Sequence, residues 1–304
     1  MRAYIANRLL QTVVVIVGIS MIAFTITYLV GDPLTVLLPL DAPKEQRDVY
    51  RHSLGLDQPL PVQYYHFVAR VLTGNFGNSY VIHKPAYELI IERMPATLLL
   101  TFSGLFVALM IAVPLGILAA YHKNSWVDNL STVIAVAGSA MPIYWLGLML
   151  IILFGVRLRW LPPSGYGSWR NLIMPAFTLG VFLAPITMRL VRSGMLDTLA
   201  QDYIRVARAK GLTERAVLSR HALKNVMIPV ISVLGLQFGQ LLGGAIITET
   251  TFAWPGVASQ AVSSIQNQDR PVVQAAVIIL ATLICLVNLG VDILVAFLDP
   301  RTGK

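Results

Sequence analysis

Six apolar runs, each long enough to cross a lipid bilayer, constrain the fold of this 304-residue chain more than any other feature. A membrane-spanning helix needs about 20 mostly apolar residues, and a backbone inside lipid must satisfy its own hydrogen bonds. Charged residues make up only 12% of the chain, against about 25% in soluble domains. The runs are Leu9–Val30, Ala96–Tyr121, Leu130–Val156, Leu172–Leu190, Pro229–Thr250 and Val272–Leu298. The sequence therefore predicts an all-α integral membrane protein with six spans.

The first run is expected to stay in the protein as a span. Arg2 and Arg8 precede it, but it is longer than a signal-peptide core and leads into Gly31-Asp32-Pro33 instead of a small-residue cleavage site. Three prolines inside predicted spans, Pro114, Pro142 and Pro185, are potential kink sites.

The distribution of Lys and Arg in the short flanking segments predicts cytoplasmic termini, because cytoplasmic loops carry an excess of these residues. The cytoplasmic segments then hold Arg2, Arg8, Lys123, the basic residues between Arg189 and Lys224, Arg301 and Lys304, and the short outer segments hold only Arg157, Arg159, Arg170 and Arg270. Residues 31–95 are left out of this comparison, because long loops cross regardless of charge.

The long segment 31–95 is mixed in charge and contains aromatic residues, including Tyr64, Tyr65, Phe67 and Phe76. We expect short helices on the outer membrane face, either as a docking surface for an outside partner or as a plain cover. The predicted organisation is a first helix with this extracytoplasmic segment (1–95), a core of five helices (96–299) and a cytoplasmic tail (300–304).

Several classes of site have no support in the sequence. The net charge of +8 is spread over the ends of apolar runs and forms no aromatic-interleaved surface for nucleic acid. The chain has no GxxxxGK[ST] loop to hold phosphates and no HExxH or CxxC motif for a metal. Cys285 is the only cysteine, so no disulfide can form within the chain. We expect no cofactor in this chain.

A short basic stretch between the fourth and fifth runs, DYIRVARAKGL (Asp202–Leu212), predicts a capped helix. Asp202 is a good N-cap, and Gly211 stands where a helix ends in the left-handed conformation. Thr213 then caps a second helix that starts at Glu214 and leads into the fifth span.

Residues four apart share a helix face, and small side chains on such a face allow close approach. Tyr203 and Ala207 form this face, with small Ala209 nearby, and Arg205, Arg208 and Lys210 supply charge. Taken alone, such a helix also fits an anchor to anionic lipid.

This stretch, followed by RHALKNVMIPV (Arg220–Val230), closely resembles the cytoplasmic coupling loop of ABC-transporter permeases. The match is to the peptide and nickel importer family, in particular the first of its two permease subunits. It continues through ITETTFAWPGV (Ile247–Val257) and VNLGVDILVAFLDPR (Val287–Arg301), with LGLDQP (Leu54–Pro59) and GNFGNS (Gly74–Ser79) in the long segment.

Two departures from the general importer motif concern this loop. The motif opens Glu-Ala-Ala where this chain has Arg205-Val206-Ala207. It also places a proline about thirteen residues after its glycine, whereas Pro229 follows Gly211 by eighteen. Both departures resemble the peptide-family version.

The resemblance implies a type I ABC importer fold with a coupling loop at about 192–228. In such transporters the short helix sits in a groove of a cytoplasmic ATPase, which binds ATP and Mg²⁺. The implied partners are a second permease, one or two ATPase subunits and an extracytoplasmic binding protein, in the bacterial inner membrane. Substrates of this family include di- and oligopeptides, glutathione and nickel chelates, and selection falls largely on the binding protein.

Three further groups of residues are candidates for packing, the pathway or a gate. Gly235, Gly239 and Gly243 form a GxxxGxxxG series that allows close helix packing or widens a pathway wall.

Among ionisable residues within spans, Arg189 and Glu249 lie near span ends and are expected to reach polar surroundings. Asp292 with Asn288 is a polar tie or a substrate contact. A tryptophan at the depth of Trp254 is ordinarily an interfacial anchor, whereas the resemblance implies an outer gate formed by Glu249, Phe252, Trp254, Pro255 and Gly256.

Two other classes of membrane protein have less support in the sequence. An ion-coupled secondary transporter needs inverted repeats and intramembrane charge, neither of which is clear here. An intramembrane hydrolase needs a buried nucleophile with an acid or base, and no such set is apparent.

Overall fold

The chain is helical throughout the part that a computed structural model describes, which comprises residues 2–29, 34–39 and 42–298. In chain order the helices are α1 (Arg2–Leu29), α2 (Leu34–Leu37), α3 (Lys44–Ser53), α4 (Leu60–Leu72), α5 (Ala86–Tyr121), α6 (Trp126–Ala140), α7 (Ile143–Leu150), α8 (Trp169–Leu199), α9 (Asp202–Ala209), α10 (Glu214–Ala216), α11 (Leu223–Gly244), α12 (Ile246–Thr251), α13 (Val257–Gln266) and α14 (Arg270–Leu298). A π-helical segment, Ile151–Arg157, extends α7, and another, Val217–Ala222, joins α10 to α11. Within these ranges the structure contains no β-strand, which confirms the predicted all-α class.

The described residues include five unbroken helical stretches that are long and apolar enough to cross a membrane. These are Ala6–Thr25, Ala86–Tyr121, Trp169–Leu199, Glu214–Gly243 and Arg270–Leu298. A sixth candidate consists of two helical pieces, Trp126–Gly138 and Ile143–Arg157, that meet at 95°. The six predicted runs therefore correspond to five continuous helices and one bent pair.

The bend in the third predicted span lies at Pro142. The residue before it, Met141, has extended backbone angles (φ −79°, ψ 131°), the conformation that a following proline favours. Helix α6 therefore ends at Ala140, and α7 begins at Ile143 with Pro142 as its N-cap. Pro185, by contrast, lies inside α8 without ending it. The prediction of a possible kink at Pro142 is confirmed, and its consequence is larger than a kink.

Helices α5 and α8 extend well beyond the spans that the apolar pattern indicated. Helix α5 begins at Ala86, ten residues before the predicted start at Ala96, and α8 covers 169–199 instead of 172–190. The extension of α5 is amphipathic: Leu89 and Ile90 are buried, whereas Glu88 and Glu92 are exposed. Because its outer face is charged, this extension does not register as an apolar run.

One compact unit comprises the described parts of residues 1–5, 98–254 and 287–304. Helix α8 is central to it, since α6, α7, α11 and α12 all pack against this helix. One of its apolar clusters is formed by Ala120, Val191, Met195, Ala222, Val226 and Val230. This unit therefore contains α9, the candidate coupling helix, together with the helices that lead to it and away from it.

A second compact unit comprises the described parts of residues 6–97 and 255–286. In it α1 packs on α4 through Phe24, Tyr64 and Phe67, and the Ser20 and Tyr64 hydroxyls lie 2.7 Å apart. The long segment forms the short helices α2, α3 and α4 that its pattern predicted. The grouping of 255–286 with 6–97 differs from the predicted division at residue 95, and the predicted tail 300–304 lies outside the described residues.

Candidate functional site

The short helix α9 has one face that packs on the chain itself and one that is open. Ile204 is fully buried and Ala207 is 6% exposed, and both pack against Val217. On the other side Val206 and Tyr203 are 53% and 43% exposed. The prediction that Ala207 gives a partner close approach is therefore wrong, because Ala207 lies on the inner face.

The beginning of α9 differs from the prediction in one residue. Gln201 is the N-cap, and Asp202 is the first helical residue. The Gln201 side chain makes no capping hydrogen bond. Asp202 still places a negative charge at the positive end of the helix, where it is favourable.

The end of α9 confirms the predicted left-handed glycine. Gly211 has φ +77°. Its amide donates to the Arg208 carbonyl at 2.9 Å, and the Leu212 amide donates to the Ala207 carbonyl at 3.4 Å. These two bonds form a Schellman motif, which fixes where the helix stops and which way the chain leaves. The predicted cap of the next helix is also present, since the Ala216 amide donates to Thr213 Oγ1 at 3.4 Å.

Two side-chain contacts tie α9 to the helix that follows it. The Arg208 guanidinium donates to Glu214 through Nε (2.8 Å to Oε1) and Nη2 (3.4 Å to Oε2). Asn225 Nδ2 donates to the Tyr203 hydroxyl at 2.8 Å. Together with the buried contacts of Ile204 and Ala207, they hold α9 at three places against one helical element. A displacement of α9 is therefore passed to α11 instead of being absorbed by the turn.

The open surface of α9 is apolar at its centre and basic around it. We define this outer surface by Tyr203, Val206 and Leu212, which are 43%, 53% and 40% exposed, with Arg205 and Lys210 exposed beside them. Arg205 donates to Asp202 at 3.2 Å, but both side chains are largely in solvent, where such pairs stabilise little. This arrangement suits a partner that buries apolar area and carries acidic groups at its edge.

The glycine series in α11 does not act as one packing face within this chain. A Cβ on Gly235 would lie 2.9 Å from both γ-methyls of Val291, so α11 and α14 approach closely there. A Cβ on Gly243 would meet nothing within 4 Å, and this residue is exposed. Gly239 is half-buried. One glycine therefore serves helix packing, and another faces open space.

The turn after α12 is buried instead of lying at a surface. Phe252 and Trp254 are 1% and 2% exposed. The Trp254 ring lies edge-on to the Tyr166 ring, with 4.9 Å between the ring centroids. The Gly165 amide donates to the Phe252 carbonyl at 2.9 Å. Within the chain, Trp254 is thus a core residue and not an exposed interfacial anchor. Of the other predicted gate residues, Pro255 is half-buried and Gly256 is buried as the N-cap of α13.

The ionisable residues predicted within spans have different surroundings. Glu249 is completely buried within the chain, so it does not reach solvent, and the expectation that it reaches polar surroundings stays a prediction. Arg189 is exposed, whereas Asp292 and Asn288 are half-buried. Among the described residues, no group of three or more His, Cys, Asp or Glu side chains is placed to hold a metal ion.

Several polar contacts escaped prediction from sequence. Asp128 and Arg192 form a bidentate ion pair between α6 and α8. In the second unit Asp269 accepts from the Ser79 hydroxyl and, at 3.1 Å, from the Tyr80 amide. Burial of Tyr80 raises the pKa of its phenol. No motif joins these residues along the chain, so only the fold brings them together.

Comparison with known proteins gives two family matches that together cover the chain except for residues 102–111. Residues 112–304 match the family described as the binding-protein-dependent transport system inner membrane component. Residues 1–101 match the corresponding N-terminal family of these membrane components.

Relatives and a solved structure agree with these matches. The glutathione transport system permease protein GsiC of Salmonella typhimurium strain LT2 is 40% identical over 298 residues, which cover 98% of this chain and 97% of the relative. The protein of the same name from Escherichia coli K12 is 39% identical over 298 residues, with the same coverage of both chains. A chain of the MetNI methionine ABC transporter in inward-facing conformations matches with a TM-score of 0.55 at 18% identity, covering 69% of this chain and 96% of that one. This structural likeness concerns the fold alone.

Proposed function

The chain belongs to the family of inner membrane components of binding-protein-dependent transport systems, the permeases of ABC importers of the peptide and nickel type, and on this premise we propose that it imports small peptides. As a member it is a multi-pass permease subunit in the inner membrane. Partner ATPase subunits hydrolyse the ATP, and a substrate-binding protein is a further partner. This membership decides against the ion-coupled transporter and the intramembrane hydrolase.

For the substrate we propose di- or oligopeptides or a related small solute, and glutathione is the first to test. The relatives that are 39–40% identical over nearly the whole chain are named for glutathione transport. Glutathione is a tripeptide, so this proposal lies within the peptide class that the sequence motifs imply. Nickel chelates are the alternative within the same family.

The outer surface of α9 is the proposed contact with an ATPase, and the observation that carries this proposal is the way α9 is held. A Schellman motif, an ion pair and a buried apolar face fix α9 to the element that becomes α11. Movement of a bound ATPase would therefore move α11 as a whole. Asp202, Tyr203, Arg205, Val206 and Lys210 would contact the ATPase, whereas Ala207, Arg208 and Gly211 would hold the helix in position. ATP and Mg²⁺ would bind only in the partner subunits.

A second, related permease would complete the pathway, with both termini of this chain in the cytoplasm. The exposed Gly243, with open space around its Cα, supports a close approach by that subunit. The buried turn with Phe252 and Trp254 is the proposed outer gate, and Glu249 lies in the same buried region. Asn288 and Asp292 remain candidates for the pathway.

The test is transport by the assembled complex. The chain is co-expressed with a second permease, ATPase subunits and a binding protein from the same organism, and the complex is reconstituted in proteoliposomes. We expect uptake of labelled glutathione or dipeptide that requires both ATP and the binding protein. Uptake driven by an ion gradient without ATP would contradict the proposed function. Uptake of a nickel chelate, with no uptake of peptides, would contradict only the proposed substrate.

A further inference from the structure

The ion pair between Asp128 and Arg192 joins α6 to α8 through two short hydrogen bonds. Arg192 Nε and Nη2 each donate to a different Asp128 carboxylate oxygen at 2.7 Å. The Asp128 side chain is 5% exposed and that of Arg192 is 29% exposed. The Asn124 amide donates to the same carboxylate at 3.0 Å. A bidentate pair that excludes water on one side is stronger and more directional than an exposed pair.

The position of Arg192 connects this pair to α9. Arg192 lies in α8, which ends at Leu199, and α9 begins at Asp202. Seven helical residues separate Arg192 from the end of α8, a distance of about 10 Å at 1.5 Å per residue. Two of its neighbours in α8, Val191 and Met195, are fully buried in the cluster that also holds Val226 of α11. A displacement of α9 thus reaches Arg192 through a continuous, packed helix.

The position of Asp128 connects the pair to the bent helices α6 and α7. Asp128 lies in the first turn of α6, where Ser125 Oγ accepts from the amides of Val127 and Asp128. At the other end of α6, a Cβ on Gly138 would lie 3.2 Å from the Val181 carbonyl of α8. Helix α6 is therefore held to α8 by charge at one end and by close backbone packing at the other. The 95° bend follows directly after it.

We propose that the Asp128–Arg192 pair couples α6 to α8 throughout the transport cycle, so that movement imposed on α9 also repositions the bent α6–α7 pair. Both residues are positioning residues: they act through the helices they join and not by contact with ATP or substrate. This inference rests on the proposed function and adds a second route for movement beside the direct one into α11.

Charge variants test the link in the reconstituted complex. The variants are Asp128→Asn, Arg192→Gln and the exchanged pair Asp128→Arg/Arg192→Asp, with Asn129→Ala as a control that changes an exposed polar side chain of the same helix without touching the pair. The readouts are assembly with the ATPases, basal ATPase activity and its stimulation by loaded binding protein. We expect about a tenfold loss of stimulation in each single variant, within the usual range of coupling free energies, with assembly and basal activity retained. The exchanged pair should recover most of the stimulation, and the control should match the wild type.

A cross-link keeps the proposal testable if single variants fold poorly. Cysteines at 128 and 192, in a chain with Cys285→Ser, are joined by a short bis-methanethiosulfonate reagent. Because α6 and α8 move together in this account, the cross-linked protein should keep stimulated ATPase activity. If the double-cysteine protein is impaired without the cross-link, reducing the cross-link should remove this activity. Loss of stimulation on cross-linking would overturn the proposal, since the pair would then have to open during transport. Wild-type stimulation in all charge variants would also overturn it, whereas a wild-type complex without stimulated activity would count against the proposed function itself.

Discussion

Arg208 of α9 and Glu214 of α10 are joined by two hydrogen bonds across the turn at Gly211. The pair spans a change of chain direction that a left-handed glycine makes possible. The covalent turn therefore joins α9 to α10 at one place, and the ion pair joins them at a second place. This double connection makes α9 part of the element that continues into α11.

Replacing Gly211 by Val should weaken coupling between ATP hydrolysis and transport. A β-branched side chain at φ +77° costs about 1–2 kcal/mol, although no neighbouring atom lies within 4 Å of the added Cβ. The strain therefore comes from the backbone alone and is relieved by re-aiming α9. We expect normal membrane insertion and reduced binding-protein-stimulated ATPase activity. Gly211→Asn, which tolerates the left-handed region better, is the matched control and should lie closer to the wild type.

Replacing Val206 by Asp should block docking while leaving α9 folded. Val206 is 53% exposed at the centre of the outer surface, so the change removes apolar contact and adds a buried charge only when a partner is bound. The lipid-anchor alternative predicts a different pattern, in which the triple change Arg205→Gln, Arg208→Gln, Lys210→Gln is damaging and Val206→Asp has a smaller effect. Co-purification of the ATPase with each variant separates the two, and retention of the ATPase by Val206→Asp would speak for the anchor.

Ala207→Trp gives a result that distinguishes the inner face from the outer one. Ala207 packs against Val217 and Ile204, so a large side chain overfills this cluster, at a cost of about 1–3 kcal/mol or more. We expect a lower melting temperature of the purified permease in detergent, measured without any partner present. An unchanged melting temperature together with loss of ATPase binding would instead place residue 207 on the docking surface.

Two identical substitutions in α11 should have opposite effects on stability. Gly235→Ala places a Cβ 2.9 Å from both Val291 γ-methyls, and such overpacking costs about 1–3 kcal/mol. Gly243→Ala meets no atom within 4 Å, and removing a helical glycine stabilises by about 0.5–1 kcal/mol. Thermal unfolding of the isolated permease in detergent should show a decrease for the first and an increase for the second. Equal effects at the two positions would contradict the described packing of α11 on α14.

Replacing Ala253 by Gly, which relieves backbone strain, should leave the buried turn intact. Ala253 has φ +48°, and the hydrogen bond from the Trp254 amide to the Glu249 carbonyl measures 2.7 Å, so an alanine stands where a helix end usually has glycine. Ala253→Gly removes steric strain but loosens the unfolded chain. We expect a change in unfolding free energy below about 1 kcal/mol, with uptake unchanged. A large loss of uptake would mean that the alanine methyl group itself is needed in the gate.

Local chemistry in the sequence predicts where a helix ends better than it predicts which face of the helix is buried. Gly211 and Thr213 were identified correctly, because a left-handed glycine and a capping hydroxyl act within a few residues. Its spacing with Tyr203 places Ala207 on the outer face in the sequence-based prediction. The alternative pair, Ile204 with Ala207, has a helical spacing of three and is the one that is buried. In an eight-residue helix the choice between these faces depends on Val217, which comes from the next element.

Contacts between distant segments could not be read from the sequence. Asp128 lies 64 residues from Arg192, and Ser79 lies 190 residues from Asp269. Each pair depends on which helices become neighbours. The burial of Glu249 has the same origin, since α12 packs against α7 and α8. Hydropathy placed this carboxylate near the end of a span and gave no sign of the helices that enclose it.

The most direct test of the coupling role of α9 is photo-cross-linking from residue 206 in the assembled complex. Benzoylphenylalanine is placed at Val206, and a second protein carries it at Phe106, a position in α5 that is 64% exposed within an apolar span. Illumination should join residue 206 to an ATPase subunit and residue 106 to lipid or to another membrane subunit. The account is contradicted if residue 206 labels only lipid, or labels the ATPase no more than residue 106 does.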